Sequence, residues 1–237
     1  MDESLITPAL QARIGVPSEP VIVEVTPLLV GRVREMLGEL SAAGDDRVPP
    51  AVLNMPDGGR EIAPLPHLPP HSLLTGDEWE LRRPIRLGET LTAVNRLADA
   101  NERLSGRLGH ALMLRHEWTF TDAAGDTVAF ARRSIAHYAQ ERVRPRDEPP
   151  PLPGGLPLEA AAGAGPRTAR EGDPIVSTLF TPTFEQVIRY IAIAWNFVPI
   201  FYDAEAARAA GLPGTLIPGP LKLSLLAESV LGWAGGG

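Results

Sequence analysis

The chain has 237 residues, a formal net charge of −7, 44% hydrophobic and 22% charged residues, and no cysteine. Such a composition belongs to an ordinary globular protein, with room for one large domain or two small ones. It excludes disulfides, thiolate metal sites and a thiol nucleophile, and the negative balance argues against nucleic acid as the main partner.

No apolar run reaches the roughly 18 residues of a membrane span. Met1-Asp2-Glu3-Ser4-Leu5 lacks the basic-then-apolar order of a secretory leader, so a cytoplasmic location is the default expectation. In chain order, Val21 to Val25 reads as a short strand. Thr26-Pro27 then opens a helical pattern, with Leu29, Val30, Val33, Met36, Leu37 and Leu40 apolar at helical spacing. Val48 to Leu74 is rich in Pro and Gly and has little periodicity. Four strand-like runs follow: Glu78 to Leu81, Thr90 to Val94, His110 to Phe120 and Val128 to Tyr138. Ala123-Ala124-Gly125-Asp126 reads as a hairpin turn between the last two. Short connections imply an antiparallel sheet.

Residues 140–173 carry seven prolines and five glycines among few apolar residues, which predicts an extended linker. The expected organisation is a first unit over 1–139, the linker over 140–173 and a second unit over 174–237. The second unit offers a strand over Ile175 to Phe180. A capping box at Thr183-Phe184-Glu185-Gln186 then opens an apolar helix to about Trp195. Asp203 can cap a short Ala-rich helix that Gly211 ends. A last helix runs from Pro220 to about Trp233 with Leu on several faces. If left bare, those faces would form a large apolar patch. Either the sheet of the first half or a partner subunit must cover them, and a partner is the preferred reading.

Ala194-Trp195-Asn196-Phe197-Val198-Pro199-Ile200-Phe201-Tyr202-Asp203, with Gly211-Leu212-Pro213-Gly214 beyond, resembles the signature of the MaoC-like enoyl-thioester hydratase and dehydratase family. In that signature a Ser-Gly-Asp-x-Asn-Pro-Ile-His-x-Asp segment leads to Gly-x-Pro-Gly and a central helix. Pro199, Ile200 and Asp203 fit; the family's Asp falls on Asn196 and its His on Phe201. Trp79-Glu80-Leu81-Arg82-Arg83-Pro84 with Gly88-Glu89, then Glu117 to Thr121 and Arg132-Arg133-Ser134, resemble the family's N-terminal domain.

The resemblance implies an α+β protein with a hotdog fold, an antiparallel sheet wrapped around a helix. It implies a double-hotdog arrangement whose second unit is incomplete, since the chain stops where the family continues into further strands. It also implies a 3-hydroxyacyl or enoyl thioester of CoA or an acyl carrier protein as substrate, with no other cofactor. A lyase reaction would be expected if the chain is active, and a homo- or hetero-oligomer with another hotdog subunit is expected. Acid–base work needs groups that titrate near operating pH. Asn196 can hold a water by hydrogen bonding but cannot take its proton, and Phe201 can do neither. The resemblance therefore implies a degenerate active site of its own, served by a partner, or a structural subunit, or an altered acyl-thioester or polyketide-tailoring reaction. Gly219, at the head of the last helix, falls where the family receives the thioester carbonyl. Alternatively Pro218-Gly219-Pro220 merely turns the chain.

Other candidates carry plainer readings. Lys222, the sole lysine, is placed to meet a phosphate or acyl carboxylate, or to extend past its apolar stem into water. His67 and His71 flank two prolines that forbid a helical metal pair. His110 and His116 share one face of a strand and read as sheet-surface residues. Gly44-Asp45-Asp46 echoes the Gly-Asp signature without the rest of it, and Asp77 and Asp203 lack the spacing of a shifted carboxylate.

Overall fold

The computed structural model describes residues 4–40, 47–57, 65, 67–106, 108–139, 180–210 and 212–233. The expected linker over 140–173, the strand expected over Ile175 to Phe180 (save Phe180 itself), Asp45 and Gly211 lie outside those residues.

A short helix α1 (Pro8–Gln11) precedes β1 (Val21–Glu24) and α2 (Pro27–Leu37). A 3₁₀ segment spans Pro50–Asp57. Then come β2 (His71–Leu81), β3 (Thr90–Ser105), β4 (Gly109–Thr121) and β5 (Thr127–Tyr138). The strands form one antiparallel sheet in the order β1-β3-β4-β5-β2. Among the described residues three helices follow: α3 (Phe184–Ala194), α4 (Ala204–Ala209) and α5 (Gly219–Trp233). Among the described residues, no helix is long and apolar enough to cross a membrane.

The strands run longer than their apolar patterns. β2 begins seven residues before Glu78, inside the stretch expected to be irregular, and β3 continues to Ser105 through polar residues. Chain neighbours β2 and β3 do not pair; they sit on opposite sides of the β4–β5 hairpin. Pairing on long partners fixes these extensions, so tertiary context overrides local propensity. Arg83 explains the crossing between β2 and β3. Its guanidinium meets Glu89 at 2.8 Å and Asp122 at 3.0 Å, which ties the Pro84–Gly88 turn to the hairpin tip. The hairpin turns at Gly125, with φ of 87°, where Asp122 accepts the N–H groups of Ala124 and Asp126.

The sheet's inner face holds two apolar clusters. The larger gathers Leu91, Ala93, Trp118 and Phe120 with Val33 and Met36 of α2, Tyr190 and Ile191 of α3, and Leu221 and Leu225 of α5. The smaller joins Leu97, Leu112 and Leu114 to Leu10. Between them the register places a polar row, His116–Arg133–Asp77, with Leu97 at its β3 end. His116 is therefore no surface residue. It is 1% exposed, because the side chains at 112, 114, 116, 118 and 120 of β4 are all buried together on the inner face. His110 is half-buried and meets Glu102 at 2.6 Å.

The helices of the second half pack on the first half rather than apart from it. Leu221 and Leu225 enter the common core, so one face of α5 is covered by the chain itself. That face also carries polar groups. Asn54 donates to Ser224 Oγ at 2.9 Å, and Arg47 meets Glu228 at 2.7 Å, with Ser224 and Glu228 buried. The opposite face leaves Leu226 62% and Val230 44% exposed.

Candidate functional site at the head of the last helix

Helix α3 delivers the Asn196 loop. The Thr183 hydroxyl accepts the Gln186 N–H at 3.2 Å and the Gln186 side chain accepts the Thr183 N–H at 3.0 Å, a complete capping box. The Gln186 amide also donates to the Met36 carbonyl at 2.9 Å, which fixes α3 against the end of α2. The helix stops at Trp195, whose φ of 52° and ψ of 34° are left-handed. In this region a large side chain is uncommon.

The backbone then folds on itself. Asn196 donates its N–H to the Ile191 carbonyl and accepts from Val198, each at 2.9 Å. Pro199 opens a 3₁₀ turn to Phe201, a position where its missing N–H costs nothing. Asp203 Oδ1 accepts the N–H groups of Glu205 and Ala206 at 2.8 and 3.1 Å and so caps α4. Its carboxylate is engaged as a cap. The Leu216 N–H donates to the Ile200 carbonyl at 3.0 Å, which staples this loop to the segment that leads into α5. Phe201 and Ile217 pack half-buried against the same apolar cluster as Leu221.

At its head α5 lies close to β2. A Cβ added to Gly219 would stand 2.1 Å from Leu74 Cδ2 and 3.3 Å from Leu74 Cγ. Beside the helix runs a groove of about 320 Å³ lined by Phe180, Pro182, Ile217, Lys222, Leu225, Leu226 and Ser229. Its walls are apolar apart from one ammonium and one hydroxyl.

Two of the expected site residues stand on the first turn of α5: Gly219 against Leu74, and Lys222 in the groove. Pro199 and Phe201 are joined to the α5 leader through Ile200 and through shared packing. Asn196 is half-buried at the start of the loop, and neither it nor Phe201 is a lining residue of the groove. The groove walls Phe180, Ile217 and Leu226 were not foreseen; the excess of Leu on α5 was the only local sign of them. Asn54 and Arg47 had no sequence signal at all.

The lining residues of the groove include no carboxylate and no imidazole. The inner-face histidines lie elsewhere. Burial, with the nearby charges of His137 and Arg133, pushes His116 down to about 4, and burial also lowers His137. Beside His116, Asp77 meets Arg133 at 3.0 Å. His67, at φ 59°, is exposed, and His71 opens β2 with its ring 5.5 Å from that of Tyr138. Among the described residues no cluster of His, Asp or Glu fits a metal ion.

Residues 40–131 match the family described as FAS1-like, dehydratase domain region. No curated protein matches the chain by sequence. Among solved structures, a MaoC-like dehydratase superposes with a TM-score of 0.68 at 22% identity, over 96% of this chain and 80% of that one. A MaoC-like dehydratase from Phytophthora capsici gives 0.63 at 14% identity, over 94% and 77%. A conserved hypothetical protein from Mycobacterium tuberculosis with a double hotdog fold gives 0.54 at 15%, over 94% and 76%. The chain thus shares the hotdog fold of proteins named MaoC-like dehydratases, and its residues 40–131 match the FAS1-like dehydratase region.

Proposed function

We propose that the chain binds 3-hydroxyacyl or enoyl thioesters beside α5 and does not itself interconvert them. The observation that carries this reading is the groove along α5, apolar but for Lys222 and Ser229, next to a loop whose two acid–base positions hold Asn196 and Phe201. An acyl chain suits the apolar walls, with about 0.8 kcal/mol gained per buried methylene. Lys222 offers a cation to the phosphate of a CoA or acyl-carrier thioester. Gly219, in the first turn of α5, has a backbone N–H without a helical partner, which suits a thioester carbonyl. Turnover then requires an Asp and His from another hotdog subunit.

A second reading, a purely structural subunit of a dehydratase assembly, is favoured by α5 itself. Its buried face mixes Leu221 and Leu225 with Ser224 and Glu228 while Leu226 and Val230 point outward, so apolar groups stand on both faces, unlike a helix with one solvent-facing side.

Titration calorimetry with hexanoyl-CoA separates the two. The first reading expects binding by the purified chain, weakened about tenfold or more in Leu226→Glu, which puts a charge in the groove wall at an exposed position. Absence of binding, or affinity unchanged by Leu226→Glu, leaves only the structural role.

A further inference from the structure

We propose that the outer face of α3 is where two copies of this chain meet, an inference independent of the acyl-thioester reading. α3 buries Val187, Tyr190, Ile191 and Ala194. Its outward stripe is also apolar: Phe184 is 58% exposed, Ile188 40% and Trp195 65%, with exposed Ala192 between. The spacing of four, four and three residues keeps them on one side of the helix.

Helix α2 is an internal control. It has the same length of eleven residues and the same Thr cap (Thr26, φ −81° and ψ 157°, against Thr183, −76° and 157°), and it also ends on a residue of positive φ, though with ψ −133° at Gly38 against 34° at Trp195. Counted from the caps, α2 carries Pro27, Gly31, Glu35 and Gly38 where α3 carries Phe184, Ile188, Ala192 and Trp195. Gly38 takes its φ of 63° without steric cost, whereas Trp195 takes 52° with a Cβ and a ring. A helix of this length and cap thus does not require an apolar outward stripe. Strain in an exposed residue points to function. Phe197 meets the Trp195 ring edge-on at 5.1 Å and presents a second exposed aromatic group, the residue chemistry of interface anchors.

The occupant follows from the shape and charge of the same face. A groove of about 450 Å³ runs along the C-terminal half of α3, with Ala192, Ile193 and Trp195 in its walls and Arg32, Glu35 and Arg189 beside them. Phe184 stands about 12 Å up the helix from Ala192 at 1.5 Å per residue. A twofold axis through Ile188 lays two α3 helices antiparallel. Ile188 then meets its copy, and each Phe184 falls on the partner's Ala192, a large side chain over a small one, at the groove. This is the self-complementarity that an isologous interface demands. The rim carries both signs, with Arg189 2.7 Å from Glu185 in the same chain, so two copies bring no block of like charge together.

The absence of cysteine makes the test direct. Ile188→Cys places the only thiol at the axis, where two Cα atoms come within disulfide reach. Mild oxidation is expected to convert that variant to a covalent dimer, while Arg208→Cys, exposed on α4, stays uncrosslinked. Light scattering after gel filtration should give a dimer for the wild type. For Ile188→Glu it should give a monomer with unchanged circular dichroism, the dissociation constant rising about 100-fold. A monomeric wild type overturns the proposal, including the case in which a different protein covers the face. So does a dimer that survives Ile188→Glu or fails to cross-link at position 188.

Discussion

The amide of Asn54 donates to the hydroxyl of Ser224 at 2.9 Å, both side chains are buried, and that hydroxyl donates in turn to the Pro220 carbonyl at 2.8 Å. This seam, with Arg47 and Glu228 one turn further along, fixes the rotation of α5 about its axis. Rotation decides which residues reach the groove. Ser224→Ala removes the Asn54 acceptor and is expected to cost about 1–3 kcal/mol. Asn54→Leu added to Ser224→Ala should recover part of that loss, since no buried donor then lacks a partner. Denaturant midpoints of the single and double variants check this.

Gly219 is required by space rather than by backbone freedom. In Gly219→Ala the new methyl meets Leu74 Cδ2 at 2.1 Å, so Leu74 must move. The expected destabilisation is about 1–3 kcal/mol, the usual cost of overpacking. Leu74→Ala vacates the same volume, so the double variant should be more stable than the sum of the single effects predicts. A strictly additive cycle in thermal melts would contradict the close approach of β2 to α5.

His116 makes stability depend on pH. In the folded chain it titrates near 4 against 6.5 unperturbed, so the unfolded chain binds the proton first as pH falls. Its contribution is complete above pH 6.5 and is lost as pH drops from there toward 4. Its full extent is about 3 kcal/mol at 1.36 kcal/mol per unit. His116→Phe should flatten the dependence of unfolding free energy on pH in that window, whatever its effect on absolute stability. An unchanged slope would contradict the buried, neutral imidazole.

Much of this architecture was legible because it is local. The Thr183 capping box, the Asp203 cap and the Gly125 hairpin each follow from a few adjacent residues, and each is present. What depends on distant partners was not legible. Polar residues such as Asn101 and Glu102 lie in a strand because β4 pairs with them. His116 is buried because the whole inner face of β4 is covered. The site behaves likewise. Lys222 stands out in the sequence as the sole lysine, on the first turn of α5, and it does line the groove, but Phe180 and Ile217 come together with it only in three dimensions. Asn54 sits in a Pro-rich stretch with no motif, and its role depends on α5, some 170 residues later.

The central claim is that an acyl-thioester frame is present without its own proton-handling pair. Hydration of crotonyl-CoA by the purified chain and by Asn196→Asp/Phe201→His tests it most directly. The account predicts no turnover above background for the wild type and measurable turnover for the double variant, since one positioned acid–base group is worth about 10²–10⁴ in rate. Turnover by the wild-type chain that is abolished in Asn196→Ala would contradict it.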